Sequence, residues 1–310
     1  MKLQNIMSYQ AFGFNIVSEI DLPELQQGIV SNVRGQITIS INNLSEMWSE
    51  LSDDCTGPFV VSKEYIMFRV EGVAIFLIKD GNAIVVSPLQ PNKEDEIRLY
   101  ILGTCMGAIL LQNNILPLHG SVLSIDGKAY GIVGECGAGK STLARAFIKK
   151  GYKLLSDDLI PVTFINNVPQ VIPSYPYQKL WEESLAEFNM KSENYLPIVY
   201  RESKYSVPIE DLFESETIPL AGIFVLNKQD GENIELKELN SINAIQELSE
   251  HTYRNFLIQR LGLLNWHFQL SAKIIENIQV FKLVRPTSRF TANELTDVII
   301  KEINGGRLNE

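Results

Sequence analysis

Between positions 65 and 89 apolar runs alternate with turn residues, YIMFRV, EG, VAIFLI, KDGN and AIVVSPL, and each run has the length and β-branched content of a strand. Further strand-like runs are predicted over 12–17 and 36–41, so the chain opens with a β-rich region. Pro91 and the acidic Glu94, Asp95 and Glu96 begin a helical stretch that reaches Asn113 and Asn114. A boundary is expected there, with a β-rich region over 1–95 and a second region over 96–310. The apolar segment 99–111 contains Gly103, Thr104 and Gly107 and falls short of the roughly 20 residues a membrane span needs, which predicts a buried core helix and no membrane partner.

Beyond this point the pattern changes. From His119 to Asp158 the order is strand, turn, strand, glycine-rich loop, helix and strand, and an α/β alternation continues through a strand over 222–226 and helices from Ala244 onward. Asp126-Gly127 between two apolar runs is a strong short-range hairpin signal. With those two residues as the loop, continuing the pairing sets His119 opposite Gly134. A helix over 142–150 buries Leu143, Ala144, Phe147 and Ile148, and Gly151 follows at the position that favours a left-handed backbone. A short strand over 153–156 then delivers Asp157 and Asp158 at its C-terminal end, the end at which ligands bind in a parallel sheet. The last elements are a strand over 280–284, Pro286, and a helix through Leu295, Val298 and Ile299 that Thr291 is expected to cap.

Composition narrows the classes. The 310 residues are 45% apolar and 21% charged, which excludes a disordered or fibrous chain. A net charge of -10 with no basic run sets nucleic acid aside as a partner. Cys55, Cys105 and Cys136 are odd in number and widely spaced, as expected of reduced thiols in the cytoplasm. The N-terminus lacks the apolar core and cleavage site of a secretory signal. His119, His251 and His267 match no metal-ligand spacing. The oligomeric state is open.

The segment from Gly134 through Glu135, Cys136, Gly137, Ala138 and Gly139 to Lys140 and Ser141 satisfies GxxxxGK[ST], after an apolar strand and before a helix. In that context backbone N–H groups turn inward around phosphate oxygens, with Thr142 continuing the helix whose positive end faces the phosphates. Lys140 would reach the β- and γ-phosphates of ATP, and Ser141 with Asp158 would hold Mg²⁺. Asp157 and Asp158 next to such a loop suit magnesium support and acceptance of a proton from an attacking hydroxyl, and the sequence leaves those two roles exchangeable. Lys179, Arg201, Lys204 and Arg254 are cations that could hold substrate phosphates or a peptide carboxylate. Cys136, near a helix N-terminus, could also be open to oxidation.

LHGSV followed by GIVGECGAGKSTLARAFIKKGYKLLSDDLIPV resembles the catalytic core of HPr kinase/phosphorylase. FGFNIVSEIDLPEL, PSYPYQKLW and HTYRNFL with FKLVRP resemble the HPr-kinase homologues found with lasso-peptide biosynthesis. The resemblance implies an α/β fold with a P-loop kinase core of HPr-kinase type behind an N-terminal β-rich domain. It implies an ATP- and Mg²⁺-dependent serine kinase, acting in the lasso-associated branch on the C-terminal serine of a precursor peptide. It places His119 in the active site, Lys140 and Ser141 on the nucleotide, and Asp157 as base with Asp158 beside it. Glu135-Cys136 stands where those kinases usually show Asp-Ser, and neither their downstream glycine-rich signature nor their Arg-Pro-Gly loop has a match, which puts phosphorolysis and HPr itself in question. A nucleotide-gated ATPase or a small-molecule kinase are the alternatives, since fold and loop do not fix the acceptor.

Overall fold

Alternating burial along the early strands builds one sheet whose inner face is almost wholly apolar. The computed structural model describes residues 6–31, 33–52, 57–198 and 203–305. Its first sheet has eight strands in the order Gln26–Gln27, Met7–Ala11, Phe14–Ser18, Gln36–Ile41, Ala83–Pro88, Ala74–Lys79, Tyr65–Val70 and Phe59–Val61. The four strands predicted over 36–41 and 65–89 are all there. The strand predicted over 12–17 is present as Phe14–Ser18, starting two residues later because Phe12 and Gly13 take φ of 56° and 76° and turn Met7–Ala11 back on it in a hairpin. The reason is packing, because the turn drives the Phe12 ring fully out of water against Tyr175. A helix over Ser45–Ser52 gives no strong sequence signal and was not expected.

The apolar helix is present as Glu94–Tyr100, a π-helical turn Ile101–Cys105, and Met106–Gln112. Every residue from 101 to 111 is buried, and the side chains join the core of the first sheet together with Leu159, Ile172 and Leu257 from the second half of the chain. Gly107 is required here because a Cβ would lie 2.8 Å from the Tyr253 ring. Among the described residues no helix is long and apolar enough to cross a membrane.

The second sheet has seven strands and is mixed. Leu116–Ile125 and Lys128–Val133 form the expected hairpin, with Asp126 and Gly127 both at positive φ and Ile125 paired with Lys128 through to Gly120 with Val133. Lys128–Val133 runs parallel to Ile218–Gln229, which runs parallel to Gln279–Pro286. The glycine loop follows Val133, and the helix after it is Lys140–Lys149, starting two residues earlier than expected from a Gly139 at φ 107°. The aspartates are placed differently from the expectation. Asp157 and Asp158 do not end a short parallel strand; they sit inside a 13-residue strand, Lys153–Ile165, antiparallel to Leu116–Ile125. The apolar continuation LIPVTF keeps the strand going because both faces of that stretch are buried. Thr291 does not cap Ala292–Gly305 through its side chain, whose hydroxyl has no hydrogen-bond partner.

Register aligns one row across this sheet: Asp158, Gly120, Val133, Val225 and Lys282. Gly120, under the site, has no room for a side chain, since a Cβ would lie 2.2 Å from the Ile132 carbonyl oxygen. Gly120→Ala should therefore lower stability by about 3 kcal/mol or more, seen as a shifted urea midpoint; a midpoint within error of the parent would show that the row is not packed this tightly.

Candidate functional site

A strand normally points successive side chains to opposite faces, so two adjacent carboxylates can share a site only if the strand is distorted. Lys153–Ile165 has a register irregularity between Leu154 and Ser156, and Asp158 takes φ 87°, a left-handed value that costs a non-glycine residue roughly 1–3 kcal/mol. Both aspartates as a result face the same cavity of about 1260 Å³, which the glycine loop also lines.

Asp157 is nearly buried, at 3% exposure, and all of its hydrogen bonds are internal. Its Oδ1 accepts from Ser121 Oγ at 2.5 Å and from Ser141 Oγ at 3.0 Å, and its Oδ2 accepts from the Lys179 N–H at 2.8 Å. Asp158 turns outward. Its Oδ2 accepts from Lys179 Nζ at 2.7 Å and its Oδ1 lies 3.4 Å from His119 Nδ1. Burial would raise the Asp158 pKa, but the adjoining Lys179 ammonium and then His119 outweigh it and hold the carboxyl well below the usual carboxylate range. Lys179 moves the opposite way: burial would release its proton, and Asp158 keeps it firmly charged.

His119 Nδ1 is 3.1 Å from the Asp158 carbonyl oxygen, which can only accept, so the ring carries its hydrogen there and leaves Nε2 as an acceptor. Burial lowers the His119 pKa against the pull of Asp158, so the ring is neutral near pH 7. Lys140 donates to the carbonyls of Gly134 at 2.8 Å and Glu135 at 3.0 Å, closing the loop on itself, and burial lowers its pKa too. Gly134, Glu135, Cys136, Gly137, Gly139, Lys140, Ser141 and Thr142 line the cavity, whereas Ala138 is buried beneath it. Thr142 Oγ1 meets Ser184 Oγ at 2.7 Å.

No protein-family model matches the chain. Over 68 residues it is 37% identical to an HPr kinase/phosphorylase of Mycoplasmopsis pulmonis, a stretch that makes up 21% of this chain and 22% of that protein. The chain thus matches about a fifth of that relative's length. A solved structure, that of the Hpr(Ser) kinase/phosphatase from Coxiella burnetii, aligns with 62% of this chain and 97% of its own at 16% identity and a TM-score of 0.35.

The remaining cations divide. Lys179 is locked to Asp158, so it acts on the carboxylate and is not a spare anion site. Lys204 lines the cavity with its Nζ 5.5 Å from the Trp181 ring centre. Arg254, at φ 53°, also lines it, donates to Thr104 Oγ1 of the π-helical turn at 3.1 Å and lies over the Tyr253 ring. Arg201 lies outside the described residues. His251 lines the cavity and pairs with Glu247, while His267 is turned away and meets Thr252 Oγ1 at 2.8 Å. Sequence reasoning missed Ser121, Tyr253 and Arg285; Arg285 donates Nε to the Ala138 carbonyl at 2.8 Å and so ties the glycine loop to the far strand. The motifs LHGSV, HTYRNFL and FKLVRP contain these residues, but each contact spans elements distant along the chain, so the motifs do not show what the side chains touch.

Lys179→Met should leave Asp158 without its counter-ion and destabilise the fold by about 3 kcal/mol, the low end for a broken buried pair. A second Asp158→Asn change should recover much of that loss in a double-mutant cycle, and simple additivity would count against the pairing. Burial also lowers the pKa of His119, His251 and His267. The unfolded chain takes up protons near pH 6.5 while the folded one resists. Stability should therefore be full above that pH and decline as the pH falls below it, measured by urea unfolding at pH 7.5 and 5.5; equal midpoints would refute neutral buried rings.

Proposed function

We propose that the chain is an ATP-dependent kinase that phosphorylates a serine hydroxyl of a peptide or protein. The observation that carries this is the hydrogen bond between Ser141 of the glycine loop and Asp157, within one cavity that also holds Asp158 and His119. A loop of this type offers amides to phosphate oxygens, and its serine with an acidic partner is the donor set for a magnesium ion. The residues present fit that ion. Ser141 and Asp157 would hold it, and when bound it supplies charge neutralisation on the phosphates.

The sequence leaves the two aspartates exchangeable; their surroundings favour a division of labour. Asp157, with both oxygens engaged by Ser121, Ser141 and the backbone of Lys179, supports the loop serine. Asp158, open to the cavity, orients the acceptor hydroxyl and takes its proton as the new O–P bond forms and the bond to the leaving diphosphate breaks. Lys179 keeps Asp158 ionised and therefore makes it a weak base. That suits a loose transition state, in which the nucleophile is aligned first and its proton leaves late. Neutral His119 fixes the Asp158 main chain through Nδ1 and presents Nε2 as a second acceptor. Lys140 exchanges the carbonyls of Gly134 and Glu135 for phosphate oxygens.

For the acceptor, the likeness of HTYRNFL and PSYPYQKLW to lasso-associated homologues supports the C-terminal serine of a precursor peptide. The cavity wall fits a peptide: Arg254 and Lys204 can meet a carboxylate, and Tyr100 and Trp181 give apolar surface.

Asp158→Asn should keep ATP binding within about threefold and slow transfer by roughly 10²–10⁴, followed by mass spectrometry of a serine peptide. Asp157→Asn should instead weaken ATP binding only when magnesium is present. If both substitutions leave transfer intact, the kinase assignment falls.

A further inference from the structure

We infer that segment 285–291, which leaves the C-terminal end of Gln279–Pro286 and enters Ala292–Gly305, is the nucleoside subsite, with the Phe290 ring stacking on the base. The inference rests on the glycine loop taking the phosphates and adds where the rest of the nucleotide lies.

Topology gives the direction. In the aligned row the carboxylate strand lies two strands to one side of the loop strand, and Gln279–Pro286 lies two strands to the other. The phosphate that is transferred must face Asp158 and His119. The nucleoside must then leave the loop toward the opposite side, over Ile218–Gln229 and onto the residues that follow Arg285. Two strand spacings are about 10 Å, a distance that a sugar and two phosphates can bridge.

What stands at that end has the chemistry of a base site. Phe290 is a large apolar side chain left exposed, at 36%, in the wall of the cavity. It is not loose. Its ring is braced edge-to-face by Phe188, with centroids 5.6 Å apart, and Phe188 packs on Ala146 of the glycine-loop helix and on Ala292. A propped aromatic face at the wall of a polar cavity is what a purine ring stacks on. Thr291, beside it in the same wall, is 3% exposed and its Oγ1 has no hydrogen-bond partner, an unmet polar atom that a nucleoside hydroxyl or base nitrogen would satisfy. Arg285 holds this wall at a fixed distance from the loop, through Nε to the Ala138 carbonyl and Nη1 to the Pro286 carbonyl at 3.1 Å. Arg289 lines the same end, held by Glu294 and by the Glu232 carbonyl at 3.4 Å.

The test compares ATP with inorganic tripolyphosphate, which carries the phosphates and no nucleoside, by calorimetric titration of the full chain with magnesium chloride. The parent should bind ATP more tightly than tripolyphosphate. Phe290→Ala should weaken ATP about tenfold and leave tripolyphosphate unchanged, and Phe290→Trp should restore ATP affinity. Thr291→Val, close to the parent in shape, should weaken ATP severalfold with the same selectivity. Equal affinities of the parent for both ligands, or equal losses for both in Phe290→Ala, would overturn the subsite while leaving the loop reading standing. Unchanged ATP binding in Phe290→Ala would overturn it as well. If the parent binds neither ligand, the loop reading fails and the subsite with it.

Discussion

The left-handed backbone at Asp158 is the constraint on which the rest of the site depends. In a regular strand Asp157 and Asp158 would face opposite sides of the sheet, and one carboxylate would be lost to the far face. The positive φ at Asp158 undoes that alternation, at a cost the surroundings must offset. Lys179 does so twice, because its N–H binds Asp157 and its ammonium binds Asp158. A single residue of the strand Tyr177–Trp181 thus fixes both acids, and the small third sheet that carries it becomes part of the site's support.

The two acids differ because of what surrounds them. Asp157 has a donor on each oxygen, among them the serine of the glycine loop. Asp158 keeps an open side toward the cavity and a neutral imidazole at its back. Desolvation alone would push the Asp158 carboxyl toward the neutral form; a charged lysine within hydrogen-bond distance decides the matter the other way. The π-helical turn adds the wall opposite. Its Thr104 receives Arg254, and Gly103 and Gly107 make room for Tyr253, so the helix that completes the first sheet's core also shapes the cavity.

Local signals in the sequence were enough for the hairpin at Asp126-Gly127, the glycine loop and the helix after it, because each is decided by residues within a few positions of one another. They were also enough to bring His119, Lys140, Ser141 and both aspartates to one place. They failed where distant partners decide. The length of Lys153–Ile165 is set by its pairing with Leu116–Ile125 and Val168–Val171, which periodicity does not report. The turn at Phe12 carries no glycine at its first position, and only burial against Tyr175 accounts for it. Lys179 read as a spare cation for the same reason: its carboxylate partner is 21 positions away.

Net charge is a poor guide to this cavity. The chain carries -10, which argues against a polyanionic partner over the general surface. Yet Lys140, Lys179, Lys204, Arg254, Arg285 and Arg289 all line the cavity that also holds the acids. Lys179 is paired with Asp158 and Arg289 with Glu294. Lys140, by contrast, gives its hydrogen bonds to main-chain carbonyls. A cation coordinated by dipoles in place of a carboxylate keeps most of its field, and low-dielectric walls extend that field along the cleft. Glu135, Glu183, Glu187 and Glu250 line the same cleft with the two aspartates, so its cations and acids are matched in number and a phosphate is held there by where Lys140 and the loop amides stand, not by net charge.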